Sequence, residues 1–206
     1  MLEEGKAAMS LQSFRNYTNL FYPRTKLLKN KKNRNKVGIR ASKPFEKLHM
    51  DVTIYRPLDN TRVYIYFIVD NFSRKILAWK ASLKLRADIS FDNLKQACID
   101  NNLFDNKTEL IVDGGSENKG AVDGFILSHE NWKKLIAQKD IIFSNSIVEA
   151  VNKIMKYHYI FKRSFANYEE LSNNLGSFVD DYNSRPHSVL KLSPNDVLRL
   201  RSVQVW

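Results

Sequence analysis

The chain has 206 residues, 43% of them hydrophobic, with 33 Lys and Arg against 22 Asp and Glu and a formal net charge of +11. That length supports one sizeable core and is too short for two full-sized domains. The longest apolar run, around Tyr64–Val69, falls far short of the roughly 20 residues that span a bilayer, the start Met1-Leu-Glu-Glu-Gly shows no secretory pattern, and the one cysteine, Cys98, excludes an internal disulfide and fits a reducing, intracellular setting.

The charge excess sits at the N-terminal end. Between Gly5 and Phe45 there are eleven Lys and Arg and no acid, while residues 46–206 carry 22 basic and 20 acidic side chains. The segment Lys29-Asn-Lys-Lys-Asn-Arg-Asn-Lys36 is dense in cations and poor in apolar side chains. It cannot bury enough surface to offset the entropy of ordering, so residues 1–44 read as a flexible basic arm. Lys29, Lys31, Lys32, Arg34 and Lys36 would attract phosphate backbones by counterion release, without reading sequence. A solubilising leader, or a remnant of an upstream DNA-binding region, explains the same composition.

A globular pattern starts at residue 45 and runs to 206. Leu48, Met50, Val52 and Ile54 alternate with His49, Asp51, Thr53 and Tyr55, which predicts a strand with one apolar face and Asp51 on the other. Pro57-Leu-Asp-Asn60 is a turn signal, and Arg62–Asp70 is aromatic and β-branched enough for a well-buried strand. Asn71-Phe-Ser-Arg74 makes a tight connection to a third strand at Lys75–Ser82, giving an antiparallel meander. Asp88–Asn101 has helical spacing, with Ile89, Leu94, Ala97 and Cys98 inward. Thr108–Val112 is a short strand ended by Asp113-Gly-Gly115, residues 119–137 are ambiguous with some helical character, and Asp140–Phe143 predicts a fifth strand. Ser144-Asn-Ser146 offers cap chemistry for a helix from Ile147 to about Arg163. Further helices are expected from Tyr168 to Tyr182 and from Ser193-Pro194 onward. The order predicts an α/β protein whose mixed sheet is covered by helices on both faces.

Three acids fall at chemically useful places: Asp51 within the first strand, Asp113 at the end of the fourth, and Glu149 in the first turn of the long helix. Carboxylates converging from separate elements are hard oxygen ligands of the kind Mg²⁺ takes, and two ions about 4 Å apart suit in-line phosphoryl transfer. Among 22 acids, however, three at any chosen spacing mean little by themselves. Glu149, Lys153 and Lys156 share a helical face at i, i+4 and i+7, which suits either a metal ligand flanked by phosphate-binding cations or an ordinary surface ion pair. There is no G-x-x-x-x-G-K-S/T or G-x-G-x-x-G, and His49, His129, His158 and His187 lack zinc-ligand spacing.

The contexts of the three acids are more specific. Leu48-His-Met-Asp-Val-Thr53, Ile111-Val-Asp-Gly-Gly-Ser-Glu117 and Phe143-Ser-Asn-Ser-Ile-Val-Glu-Ala-Val-Asn-Lys153 resemble the three catalytic motifs of the retroviral-type integrase core, which bacterial insertion-sequence transposases of the DDE superfamily share. Asp113 and Glu149 have 35 residues between them, that superfamily's typical spacing. Val69-Asp-Asn-Phe-Ser-Arg74 looks like the turn after its second strand, and Tyr182-Asn-Ser-Arg-Pro-His187, followed by Leu190 and Ser193-Pro194, looks like the closing motif of those transposases.

This resemblance, over roughly residues 37–200, implies a ribonuclease H-like fold with a five-stranded mixed sheet flanked by helices. It implies DNA end cleavage and strand transfer, with Asp51, Asp113 and Glu149 as catalytic and metal-binding triad for two Mg²⁺ (or Mn²⁺) ions. Asn145, Asn152, Lys153 and Lys156 match positions that contact donor DNA in the family. Partners would be mobile-element ends and target DNA, the assembly a homo-oligomer of at least two chains, and the location the bacterial cytoplasm, associated with the nucleoid. Two departures stand out: the residue after the second Asp, usually Asn, is Gly114, and Asn118 stands where an aromatic often follows. They leave open a core that only binds DNA or regulates a full-length transposase, and a nuclease of the same fold.

Overall fold

The computed structural model describes residues 10, 13, 39–137 and 146–202. The chain divides into two compact units, Met1–Lys36 and Val37–Trp206. In the first, the backbone N–H of Ser13 donates to Ser10 Oγ at 3.0 Å. The elements below belong to the second.

β1 (Lys47–Tyr55), β2 (Val63–Asp70) and β3 (Ile76–Ser82) form the expected antiparallel meander. β4 (Thr108–Val112) pairs in parallel with β1, so β1 is the central strand. The fifth strand, β5 (Trp132–Ile136), lies parallel to β4 and closes the order β3-β2-β1-β4-β5. It falls inside the stretch that sequence patterning leaves ambiguous. The strand expected at residues 140–143 lies outside the described residues. The ambiguity has a physical source: within some twenty residues the chain makes a 3₁₀ turn (Ser116–Asn118), a two-turn helix α2 (Ala121–Leu127) and β5, each too short to show a period.

Cross-strand pairing sets which side chains share a face. Asp51 lies opposite Phe67, Thr53 opposite Ile65 and His49 opposite Val69. Those β2 residues belong to a core formed with the later helices, whereas Leu48, Met50, Ile68, Leu110 and Val112 pack under α1 (Ala87–Asn101) and α2. β2 is buried on both faces, which is why it reads as a continuous apolar run. In α1 Leu94, Ala97 and Cys98 are fully buried as expected; Ser90 and Asn93 join them, and Ile89 is only half-buried. Asn102, in the left-handed conformation at φ 52°, ends that helix.

On the other face α3 (Ser146–Ile154) runs into a π-helical turn (Met155–Tyr159) and a 3₁₀ turn (Ile160–Lys162). The expected helix to about residue 163 is therefore one helical path with three pitches, and Lys156 sits in its widened turn. α4 (Tyr168–Ser184) begins at Asn167, whose side chain accepts from Glu170 N–H at 3.0 Å. α5 (Pro194–Ser202) begins after Ser193, which exchanges hydrogen bonds with Asp196.

The closing motif welds α4 to the meander. Asn183 accepts from Ile76 N–H at 3.0 Å and donates to Ile76 O at 2.9 Å, satisfying both backbone groups at the head of β3. Tyr182 donates its hydroxyl to Arg74 O at 3.1 Å. Residues 39–46 are tied to the same turn: Asn71 accepts from Ala41 N–H at 2.7 Å, and Asp70 accepts from Phe45 N–H at 2.9 Å.

Candidate active site

β1 and β4 are parallel neighbours with Leu48 beside Leu110. Asp51 and Asp113 each stand three residues further along, so the two acids rise side by side from adjacent strands. Asp51 is half-buried in mid-strand; Asp113 is exposed, one residue past the end of β4. Glu149, in the first turn of α3, is exposed. α3 is brought over β1 by Val148 and Val151, which pack into the core containing Phe67 and Val69.

Two asparagines grip the sheet acids. Asn152, one turn beyond Glu149, donates Nδ2 to Asp51 Oδ2 at 2.5 Å. Asn118 donates Nδ2 to Asp113 Oδ1 at 2.5 Å, and the same oxygen accepts from Gly115 N–H at 3.1 Å. The departure from an aromatic at position 118 thus installs a clasp on Asp113. Lys134 secures the loop from outside by donating to Asn118 O at 2.8 Å and pairing with Asp123.

The electrostatics register the convergence. Burial raises the pKa of Asp51 from its ordinary 3.8 to about 6; the Val52 N–H opposes this, while the charges of Asp113, Glu149 and Glu117 add to it. The other two acids singled out in the sequence therefore both act on Asp51. Glu117 is a fourth, which sequence reasoning missed. It is buried, and its carboxylate lies over Gly115 where a Cβ would overlap it. The available signal was the glycine two positions before an acid at a strand end.

The donors are of the kind a hard divalent cation takes: acids whose charges act on Asp51, plus Oδ1 of Asn118 and of Asn152, both buried with no partner among the described residues. As the side chains stand, no three Asp, Glu, His or Cys residues among those described are close enough to hold one ion. Of the other expected contacts, Lys153 is exposed, Lys156 half-buried, and Asn152 is occupied by Asp51. Asn145, Lys29, Lys31, Lys32, Arg34 and Lys36 lie outside the described residues.

No described helix is long and apolar enough to cross a membrane. A five-stranded mixed sheet with helices on both faces, two acids at neighbouring parallel strands and a third on the covering helix define a ribonuclease H-like core. The sequence matches the family described as integrase core domain over residues 41–148, and a second family of that description over residues 143–194. The chain belongs to the integrase core domain family. No curated protein shows significant sequence similarity to it.

Solved structures share the fold at low identity. A chain of the simian T-cell lymphotropic virus intasome, in complex with PP2A regulatory subunit B56 gamma, superposes with a TM-score of 0.65 at 15% identity over 79% of this chain. This chain spans only 57% of that one. The HTLV-2 integrase catalytic core domain in complex with magnesium, dimeric form, gives 0.59 at 18% identity over 77% of this chain and 99% of its own. The BIV integrase catalytic core domain gives 0.57 at 13% over 77% and 97%.

Proposed function

We propose that this integrase core cuts DNA at a mobile-element end and joins the freed end to target DNA, using Asp51, Asp113 and Glu149 as its metal ligands. The observation that carries this reading is the setting of Asp51: burial raises its pKa to about 6, and the negative charges of Asp113 and Glu149 add to the rise, a penalty that bound cations would relieve. When bound, two Mg²⁺ or Mn²⁺ ions would supply the charge neutralisation and Lewis acidity that in-line phosphoryl transfer requires.

The chain's own residues do the positioning. Asn152 and Asn118 orient Asp51 and Asp113 by donating one side-chain amide hydrogen bond each. Lys153, exposed on the helix that carries Glu149, would hold a phosphate of the donor strand, with Lys156 and Asn145 near it in sequence. The basic arm around Lys29, Lys31, Lys32, Arg34 and Lys36 adds affinity without base readout. Paired cleavage of two ends calls for at least two copies of the chain, working on DNA in the cytoplasm at the nucleoid.

The test uses Asp51→Asn, Asp113→Asn and Glu149→Gln with duplex DNA carrying element ends, in Mg²⁺ and in Mn²⁺. Each variant is expected to lose cleavage by at least about a thousandfold, with DNA binding retained. Cutting by all three at the parental rate sinks the assignment. A strand-transfer product with precleaved ends separates an integrase from a nuclease of the same fold.

A further inference from the structure

Behind α3, on the side away from Glu149 and Asn152, is a cavity of about 400 Å³. Its apolar wall comes from Ile147, Val151 and Ile154 of α3, spaced i, i+4 and i+7, and from Leu190 in the loop after α4. Arg40, Arg74 and Arg185 line it as well. A volume in the range of small-ligand sites, roughly 300–1,000 Å³, that joins an apolar wall to clustered cations is built for a ligand with both characters.

Arg74 is the informative member. Its backbone is pinned: its N–H donates to Asp70 O at 2.9 Å and its carbonyl accepts the Tyr182 hydroxyl. It adopts φ +67°, a left-handed conformation that an arginine rarely takes. Its Nη1 is buried with no partner among the described residues. The acid that acts on it, Asp70, accepts from Phe45 N–H and from both the N–H and hydroxyl of Ser73. Arg185 pairs with Asp181 at 2.6 Å, while Arg40 and Arg74 pair with no carboxylate among the described residues. Burial and then the proximity of Arg40 depress the Arg74 pKa, and Tyr182 and Asp70 offset them only in part.

We propose that this cavity binds a short apolar peptide segment through a carboxylate, the acid meeting Arg74 and Arg40 and an aliphatic or aromatic side chain lying on Ile147, Val151 and Leu190. A DNA backbone would satisfy the arginines but has nothing to set against the apolar wall. A purely apolar segment would leave Nη1 of Arg74 buried without a partner.

The test titrates the full chain with N-acetyl-Leu-Phe, free acid and C-terminal amide, following the methyl resonances of Ile147 and Ile154. The acid is expected to give saturable shifts and to bind at least about tenfold more tightly than the amide. Arg74→Gly suits the positive φ and keeps the backbone bonds, so it should melt no lower than the parent and lose that tenfold preference. Equal binding of acid and amide, or unchanged binding by Arg74→Gly, overturns the proposal. So does displacement of the dipeptide by a short single-stranded oligonucleotide, which would make the cavity a phosphate site. Phenylacetate binding as tightly as the dipeptide would reassign it to small organic acids.

Discussion

Without a divalent cation, Asp51 is a destabilising residue at neutral pH, and Asp51→Asn should make the protein more stable. Its pKa rises from 3.8 in the unfolded chain to about 6 in the fold. Below pH 3.8 the group is neutral in both states and contributes no penalty. Between the two values the unfolded chain releases its proton while the fold retains one, so stability falls as pH climbs, and the loss is complete above about 6. The full effect is about 3 kcal/mol, a ceiling because water and salt reach the half-buried carboxylate. Asparagine keeps the shape and still offers Asn152 an acceptor. Urea unfolding followed by circular dichroism in EDTA should therefore show Asp51→Asn more stable than the parent by about 1–3 kcal/mol at pH 7.5, the difference closing by pH 4. Saturating Mg²⁺ should stabilise the parent at pH 7.5 and not the variant, shrinking or inverting the gap. A variant less stable than the parent at pH 7.5 in EDTA, or a gap that does not change with pH, would refute the account of Asp51.

Asn183→Ala strands both backbone groups of Ile76 in the interior and should cost about 2–4 kcal/mol in urea unfolding, with the m-value unchanged. Replacing Lys29, Lys31, Lys32, Arg34 and Lys36 together with Gln should flatten the slope of log affinity for duplex DNA against log salt by about 4.5, if each neutralises one phosphate. Cys98 is buried and its thiol pushed up to about 12, so it should stay unreactive to a thiol reagent at pH 8 until the chain unfolds, and then react at the rate of a free cysteine.

Sequence reading was most successful where period and length are long. The meander, α1, α4 and the position of α5 are visible because alternation or helical spacing persists over seven residues or more, and Ser193-Pro194 marks the start of the last. It failed between residues 113 and 137, where a 3₁₀ turn, a two-turn helix and a five-residue strand follow one another. The three acids were legible as local context, but not the action of Asp113 on Asp51, which depends on the parallel register of Leu48 with Leu110. Glu117 and the cavity behind α3 were out of reach for the same reason. Arg40, Arg74 and Arg185 are far apart in the chain and meet only because Asn71 ties residues 39–41 to the β2–β3 turn and Tyr182 ties the end of α4 to it.

The two departures from the family pattern now carry different weight. Gly114 has open space around the position of a Cβ and its φ is not in the left-handed region, so nothing in the loop requires glycine there. Asn118 is 2% exposed and bonded to Asp113, so it does for the second acid what Asn152 does for the first. Asp51 and Asp113 are each held by an amide, whereas among the described residues no hydrogen bond or ion pair holds Glu149. On the proposed assignment, completing the ligand set then falls chiefly to Glu149, the exposed member on the helix. Loss of either amide should accordingly act differently from loss of Glu149. Asn118→Ala and Asn152→Ala should weaken metal binding and so raise the Mg²⁺ concentration that cleavage needs, while Glu149→Gln removes cleavage at every concentration. If all three variants shift the Mg²⁺ dependence alike, the amides are ligands in their own right and not supports.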